Sequence, residues 1–547
     1  MNRARSGTAR LRGPARAHRL VIMRLHRRSA AVPASLLTLS LALAGCSSVS
    51  DNVAEESTPT AATSSSEAPP EAAEIEWTDC NQQIQPLIAD QPGSDRNLTF
   101  ECGRTEVPIS YDEPRGATLP LFLVRAVMAG QTDRIGSLVV NPGGPGASGA
   151  DAAISLALSL PPEIMGRFDI VGFDPRGVGL STPIECVSDD LKERMVASEP
   201  RPTSAEQLDD AFALAQEVAD ACSEEYGDAL GTFNTVDTAR DMEQLRQALG
   251  DDQLTYLGYS YGTTLGSTYA ELYPDKVRAL VLDAAVDPDT DKKTDAEEGA
   301  KALEAGFDAF ATNCTGLIAG CPIGAEPRQF VEALLGQAAQ APIPSSEPDP
   351  AGEVREATPG VIMTAIQAAL YDSASWPQLA QALAAAQQGD SKGLFSLADS
   401  YAGRLEDGTY SNLFDANIAI NCADSEETFD EEEIRTLAAE WSQKYPLFGA
   451  GSAVGLYTCS VWEAERTPLP ERDATASKAI LVIGNSGDPV TPLPGAEDMA
   501  EDLDNGHLLI WQGQGHTAYP KTECVTAAVN TYLIDLAPPM DGLTCPA

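Results

Sequence analysis

Along the chain the rhythm of apolar and polar positions changes several times, and each change marks a boundary. Residues 30–45 run small and apolar. Ser47 to about Ile75 is rich in Ser, Thr, Ala, Pro and Glu without periodicity, a composition that cannot bury a core and reads as a disordered tether. From Trp77 the pattern becomes globular. Thr99–Met128 predicts two β segments around the turn Asp112-Glu113-Pro114-Arg115-Gly116. Short apolar runs then recur at Ser137–Val140, Phe168–Phe173, Leu254–Leu257 and Val277–Leu282. Each is followed by a Gly- or Pro-containing loop and a helical stretch. Strands alternating with helices predict a mostly parallel sheet.

Near Pro288 the rhythm changes again. Residues 290 to about 475 carry mostly Ala-, Leu- and Gln-rich helical patterns, as at Gly360–Leu370 and Trp376–Gln388. Strand signals return at Ala479–Ile483 and His507–Trp511. The expected fold class is therefore α/β, with a mostly parallel central sheet built from residues 77–289 and 476–547. A helical cap insertion over 290–475 interrupts it. Open α/β sheets bind ligands at the carboxyl ends of their strands, so an insertion there would cover the site.

The N-terminus changes the picture of where the protein works. Residues 1–28 hold nine arginines and no acid, and the apolar run after them ends Leu43-Ala44-Gly45-Cys46. That is a basic segment, an apolar segment and a small-residue cleavage site. A Cys directly after Leu-Ala-Gly resembles a bacterial lipobox, in which Cys46 is acylated and becomes the mature N-terminus; an ordinary secretory signal is the alternative. The expectation is a signal peptide over 1–45, a tether over 46–76 and a body on the outer face of the cell membrane, touching it only through the lipid at Cys46. Residues 23–45 make a complete signal by themselves, so Met23 is a second candidate start. Removing the nine arginines leaves 27 of the 36 basic residues against 81 acidic ones, a net charge of −54. Such a surface repels nucleic acid and anionic lipid. It suits cationic substrates, or serves solubility alone.

Eleven cysteines in an exported chain suggest disulfides. With Cys46 set aside for the lipid, ten remain in sequence-local couples: Cys80 with Cys102, Cys186 with Cys222, Cys314 with Cys321, Cys422 with Cys459, and Cys524 with Cys545. Sequence does not decide connectivity, so these bridges are a hypothesis. The spacings do not resemble zinc sites, and only His507 and His516 remain after export. No metal or cofactor is expected.

The chemistry concentrates in three loops. Gly258-Tyr259-Ser260-Tyr261-Gly262 follows the strand ending at Leu257 and precedes the helix-like stretch Thr263–Leu272, the context that a nucleophile elbow requires. His516, in Gln512-Gly513-Gln514-Gly515-His516-Thr517, lies just past the strand ending at Trp511, where a base can reach a nucleophile. His507 opens an apolar strand and reads as structural. Acids are too abundant for composition to choose among them, but the chain order nucleophile, acid, base selects Asp488, in Gly487-Asp488-Pro489-Val490-Thr491, ahead of Asp502 and Asp504. Thr491 is a candidate support for that loop. An oxyanion hole needs two backbone N–H groups. Tyr261 and Gly144, in Asn141-Pro142-Gly143-Gly144-Pro145-Gly146, are the candidates, with Gly143 second. Asp174 and Arg176, in Asp174-Pro175-Arg176-Gly177-Val178-Gly179, are expected to buttress the elbow rather than react.

These motifs together resemble the secreted tripeptidyl aminopeptidases of actinobacteria, α/β-hydrolase serine peptidases related to prolyl aminopeptidases. The resemblance runs from about Trp77 to Cys545 and is weaker in the cap. The lipobox also resembles a cell-envelope lipoprotein branch of proteases or carboxylesterases. The resemblance implies Ser260, Asp488 and His516 as a triad, peptides as partners, and release of short peptides, often tripeptides, from free N-termini. Such enzymes need an acid for the substrate's ammonium, and Asp424 and Glu426, in Asn421-Cys422-Ala423-Asp424-Ser425-Glu426, are the candidates. The first loop departs from prolyl aminopeptidases in beginning with Asn141 rather than His. Two other readings stay open: an esterase, lipase or endoprotease with the same triad, and a binding lipoprotein on an inactive hydrolase fold.

Overall fold

The computed structural model describes residues 72–350, 352–470 and 477–547. The expected signal peptide, Cys46 and all but the last residues of the tether lie outside them. The described strands are β1 (Thr78–Asp79), β2 (Leu98–Pro108), β3 (Thr118–Met128), β4 (Gly136–Asn141), β5 (Phe168–Phe173), β6 (Leu254–Tyr259), β7 (Val277–Asp283), β8 (Ile343–Pro344), β9 (Glu356–Ala357), β10 (Ile480–Gly487), β11 (Gly506–Gln514) and β12 (Leu543–Pro546). Ten of them form one sheet in the order β1-β2-β3-β5-β4-β6-β7-β10-β11-β12. The run from β5 to β12 pairs in parallel, and β1, β2 and β3 close one edge antiparallel.

The reason lies in the burial of each strand. Every residue of β4, β5 and β6 is buried, as a parallel strand covered on both faces requires. Alternate residues feed two cores. Leu138, Ile170, Leu257, Val281 and Ile483 join one layer with the helix Gly149–Ser159 and the helix Glu523–Asp535. Val139, Val171, Tyr256, Leu280 and Val482 join the other, with helices Thr235–Leu249, Tyr261–Leu272 and Leu493–Asp502. Period-2 alternation thus yields a three-layer sandwich.

Between β7 and β10 the described residues hold eight α-helices and the small β8–β9 ribbon. Phe307, Phe310, Leu334, Ile366, Leu379 and Leu383 give this insertion its own apolar core. The expectation placed all of 77–289 in the sheet domain, and here packing differs. The helices Asp189–Ala197 and Ala205–Tyr226, which follow β5, pack on the insertion. Leu208 and Phe212 cluster with Ile434, Leu437 and Trp441, and Val218 and Ala219 with Ala419, Cys422 and Trp462. A helix's apolar stripe is the same whichever layer covers it, so sequence periodicity does not distinguish the two placements.

All five cysteine couples are bridged as expected. Among the described residues no helix is long and apolar enough to cross a membrane.

Candidate active site

The loops at the carboxyl ends of β4, β6, β10 and β11 build the site. β6 runs directly into Ser260, whose φ of 55° and ψ of −126° are uncommon for a non-glycine residue. The turn is tight enough that a Cβ at Gly262 would lie 2.9 Å from Asn141 O, and one at Gly258 would overlap Gly262 O. The Ser260 N–H donates to Asp283 O at 3.0 Å, and Ser260 O accepts from Thr263 N at 2.8 Å. Ser260 thus sits at the N-cap of the helix Tyr261–Leu272, where backbone N–H groups and the helix dipole favour negative charge.

β10 delivers Asp488, whose side chain is out of solvent. Its Oδ1 accepts from Val490 N at 2.9 Å and Thr491 N at 3.0 Å, and its Oδ2 from Thr491 Oγ1 at 3.1 Å and Asn485 Nδ2 at 3.2 Å. These bonds aim the carboxylate at His516, whose Nδ1 lies 3.0 Å from Oδ2 and 3.1 Å from Oδ1. Thr491 Oγ1 also lies 3.3 Å from His516 Nδ1. Asp502 instead meets Asp287 and Asp289. His507 sits within β11, opposite Leu481.

The loop after β4 lies against the elbow. Gly143 has φ +94°, and a Cβ there would stand 2.5 Å from Tyr259 O and 3.0 Å from Ser260 Cβ. Its N–H donates to Asn141 Oδ1 at 2.9 Å. Of the two expected oxyanion donors, Gly143 therefore already has an acceptor for its N–H, and Gly144, Pro145, Ser260, Tyr261 and Thr491 wall one cavity of about 310 Å³. Asp174 holds the helix that follows this loop, accepting from Ser148 Oγ at 2.6 Å and Ala150 N at 3.2 Å. Arg176 pairs with Asp241 at 2.7 Å and donates to Pro108, Ile109 and Thr232 carbonyls. Both buttress the neighbourhood of the site, but neither bonds to the elbow itself as expected.

The same cavity is acidic. Among the described residues, Asp287, Asp295, Glu298, Asp424 and Asp498 line it, and Lys292 is the one cation that does. Of the two expected amine-binding acids, Asp424 reaches the wall, but its oxygens accept from Thr235 N at 2.9 Å and Thr235 Oγ1 at 2.6 Å. Thr235 Oγ1 in turn bonds the Tyr261 hydroxyl. Burial pushes the Asp424 carboxyl up to about 6 although the Thr235 bonds pull it down. Glu426 is exposed and not among the lining residues. Sequence reasoning missed Asp295 and Glu298, one turn apart on the helix Lys292–Thr315. Their only signal was an i, i+3 acidic pair, which abounds in so acidic a chain. Burial raises the Asp295 carboxyl above its ordinary range, with Lys292 opposing and Asp287 and Asp291 adding to the rise. A larger cavity of about 490 Å³, mostly apolar, lies in the cap and touches none of the residues named for catalysis.

Comparisons with known proteins bear on the fold and the family. The sequence model described as the alpha/beta hydrolase fold matches residues 136–521. The protein named serine protease Hip1 of Mycobacterium tuberculosis is 36% identical over 487 residues, covering 86% of this chain and 91% of that protein. One named carboxylesterase B, from the same species, is 34% identical over 495 residues, covering 87% and 91%. A tripeptidyl aminopeptidase of Streptomyces coelicolor is 29% identical over 496 residues, covering 86% of each.

Proposed function

This chain belongs to the alpha/beta hydrolase fold family and is a serine hydrolase; from that premise we propose that it is an aminopeptidase, releasing short peptides, tripeptides among them, from free N-termini. The observation that carries this reading is the wall of the cavity at Ser260, where the described residues supply five carboxylates and one lysine. A free N-terminus arrives as an ammonium, and a partly desolvated acidic wall holds a cation more strongly than water does.

In the proposed mechanism His516 takes the Ser260 proton, and Ser260 Oγ attacks the scissile carbonyl carbon. Tyr261 and Gly144 N–H groups hold the oxyanion that forms. His516 then gives its proton to the leaving amine, and water repeats the sequence on the acyl-enzyme. Asp488 fixes the tautomer that leaves Nε2 free to accept, and stabilises the imidazolium. No step calls for a metal or cofactor.

On the N-terminal pattern we also propose export and acylation at Cys46. Five bridged cysteine pairs support an oxidising compartment.

A second reading, an ester hydrolase, draws on the relative named carboxylesterase B. Both reactions share the acyl-enzyme, so substrate choice separates them. Purified residues 47–547 are offered a free-amine tripeptide–naphthylamide, its N-acetylated twin and a short-chain p-nitrophenyl ester, each also with Ser260→Ala. The expected result is cleavage of the free-amine peptide, loss of that activity in Ser260→Ala and little turnover of the acetylated twin. Cleavage of the ester alone would overturn the peptidase reading.

A further inference from the structure

Asp283, at the carboxyl end of β7, is fully buried, and the sequence motifs gave no reason to single it out. Its position in the sheet is central. In register it stands opposite Tyr259, the residue before Ser260, on one side. On the other side it stands opposite Ile483, on the strand that leads to Asp488. Its carbonyl accepts the Ser260 N–H at 3.0 Å.

Its carboxylate faces the third catalytic segment. One oxygen accepts from Ala518 N at 2.9 Å, and the other from Ala518 N at 3.1 Å and Tyr519 N at 2.7 Å. Those amides follow His516 by two and three residues, just past Thr517, which has φ 65°. One residue therefore touches the nucleophile with its main chain and the base's loop with its side chain.

Keeping a carboxylate wholly buried is costly unless hydrogen bonds compensate. Burial pushes the Asp283 carboxyl up to about 6, with the Tyr519 and Ala518 amides and the charges of His516 and Lys521 pulling it back down. An apolar side chain would avoid that cost but would leave two buried N–H groups unpaired. The loop needs such an anchor because its conformation is uncommon: Thr517 lies in the left-handed region, and Gly515 at φ +109°.

We propose that Asp283 is a positioning residue for the hydrolytic reaction, holding the His516 loop at a set distance from the Ser260 elbow. The proposal rests on the reading of Ser260 and His516 as nucleophile and base. It ties the base's loop to the nucleophile through one residue, by main chain on one side and side chain on the other, independently of the Asp488 contact to Nδ1.

The test separates positioning from stability. Asp283→Asn keeps the shape but puts an amide NH₂ where an N–H donor needs an acceptor, and Asp283→Ser removes the reach to Tyr519. Active sites are counted by exhaustive labelling with a fluorophosphonate, and kcat is expressed per labelled site. The expected result is a fall in kcat on the order of 10- to 100-fold in both variants, since displacements of about 1 Å cost that much. KM should stay within about twofold, because the acidic wall is untouched. A kcat per labelled site equal to that of the wild type would overturn the proposal, as would a loss carried wholly by KM. A second measurement needs no variant. In the wild type, amide hydrogen exchange at Ala518 and Tyr519 should be as slow as in β7, and exchange at the rate of exposed loops would overturn the proposal. Ser260→Ala is run in parallel: activity persisting there would sink the nucleophile assignment itself, an outcome distinct from failure of the Asp283 variants.

Discussion

Tyr371 meets His516 edge to face, with ring centroids 5.2 Å apart, although one residue lies in the cap insertion and the other in the sheet domain. The main chains join as well: His516 N donates to Tyr371 O at 2.8 Å, and Asp372 bridges Gly515 in antiparallel fashion. The cap is therefore part of the wall that orients the imidazole, not only a cover over the cavity. Asp488 holds one edge of the ring, Tyr371 packs against it, and Lys521 Nζ donates to His516 O at 2.7 Å.

Tyr371→Leu should keep the main-chain bond and lose the ring contact. Steady-state kinetics should show kcat falling by about tenfold, with Tyr371→Phe close to wild type, since an aromatic contact is worth roughly 0.5–1.5 kcal/mol. Equal rates in the Leu and wild-type enzymes would leave the Tyr371 ring without a part in holding His516, the main-chain bond being kept in both.

Asp488→Asn should cost roughly four orders of magnitude in kcat with the fold intact by circular dichroism, because the amide favours the wrong imidazole tautomer. Thr491→Val removes the hydroxyl that lies 3.1 Å from Asp488 Oδ2 and 3.3 Å from His516 Nδ1 but keeps the backbone N–H. Its loss should be smaller, about tenfold, in line with one hydrogen bond to a charged group. A Thr491→Val enzyme as damaged as Asp488→Asn would mean that the hydroxyl does more than steady the carboxylate.

On the proposed aminopeptidase reading, Asp295, which lines the cavity at Ser260, is a candidate to meet the substrate ammonium, since Asp424 accepts from Thr235. Asp295→Asn should raise KM for the free-amine tripeptide substrate by about tenfold or more, equivalent to roughly 1.4 kcal/mol. Turnover of the ester should hold steady. Parallel losses on both substrates would point to a structural role instead.

The Asp424 carboxyl carries a pH signature. Its folded-state value of about 6 stands above the roughly 3.9 of an unfolded aspartate. Between those values the folded protein binds more protons than the unfolded chain, so this group's contribution to stability falls as pH rises from about 4 to about 6. Asp424→Asn removes the titration and can still bond Thr235, its oxygen accepting from the amide and its NH₂ donating to Oγ1. Denaturant unfolding at pH 4.5 and pH 7 should therefore show the variant gaining on the wild type at the higher pH. A difference that is the same at both pH values would count against the buried, titrating carboxyl.

Much of this is legible in the amino-acid sequence alone. Strand periodicity, followed each time by a loop and a helical stretch, implied the parallel sheet, because a strand buried on both faces has to read as an unbroken apolar run. The elbow was legible because its glycines answer a local steric demand. His516 was legible by scarcity, and Asp488 by chain order and its place after a strand; the structure puts the two 3.0 Å apart. The cysteine couples were readable because each bridge closes a short loop, 7 to 37 residues apart in sequence.

What remained hidden depended on distances between segments far apart in the chain. Asp424 and Glu426 shared one motif, yet folding turned one to the cavity wall and left the other in solvent. The helices between β5 and β6 look in sequence like sheet-flanking helices, and only packing gave them to the cap. Asp283 and Tyr371 carry no motif at all: one meets the histidine loop more than 230 residues later in the chain, the other from across a domain boundary. By itself the sequence determined the local matters, namely which stretches are strands, where the tight turns fall and which residue types can do acyl transfer. Those follow from sterics and periodicity over a few residues. Which acids surround Ser260 and what holds His516 in place was decided by the tertiary structure, because in a chain with 81 acidic residues an acid's role comes from the neighbours folding brings to it.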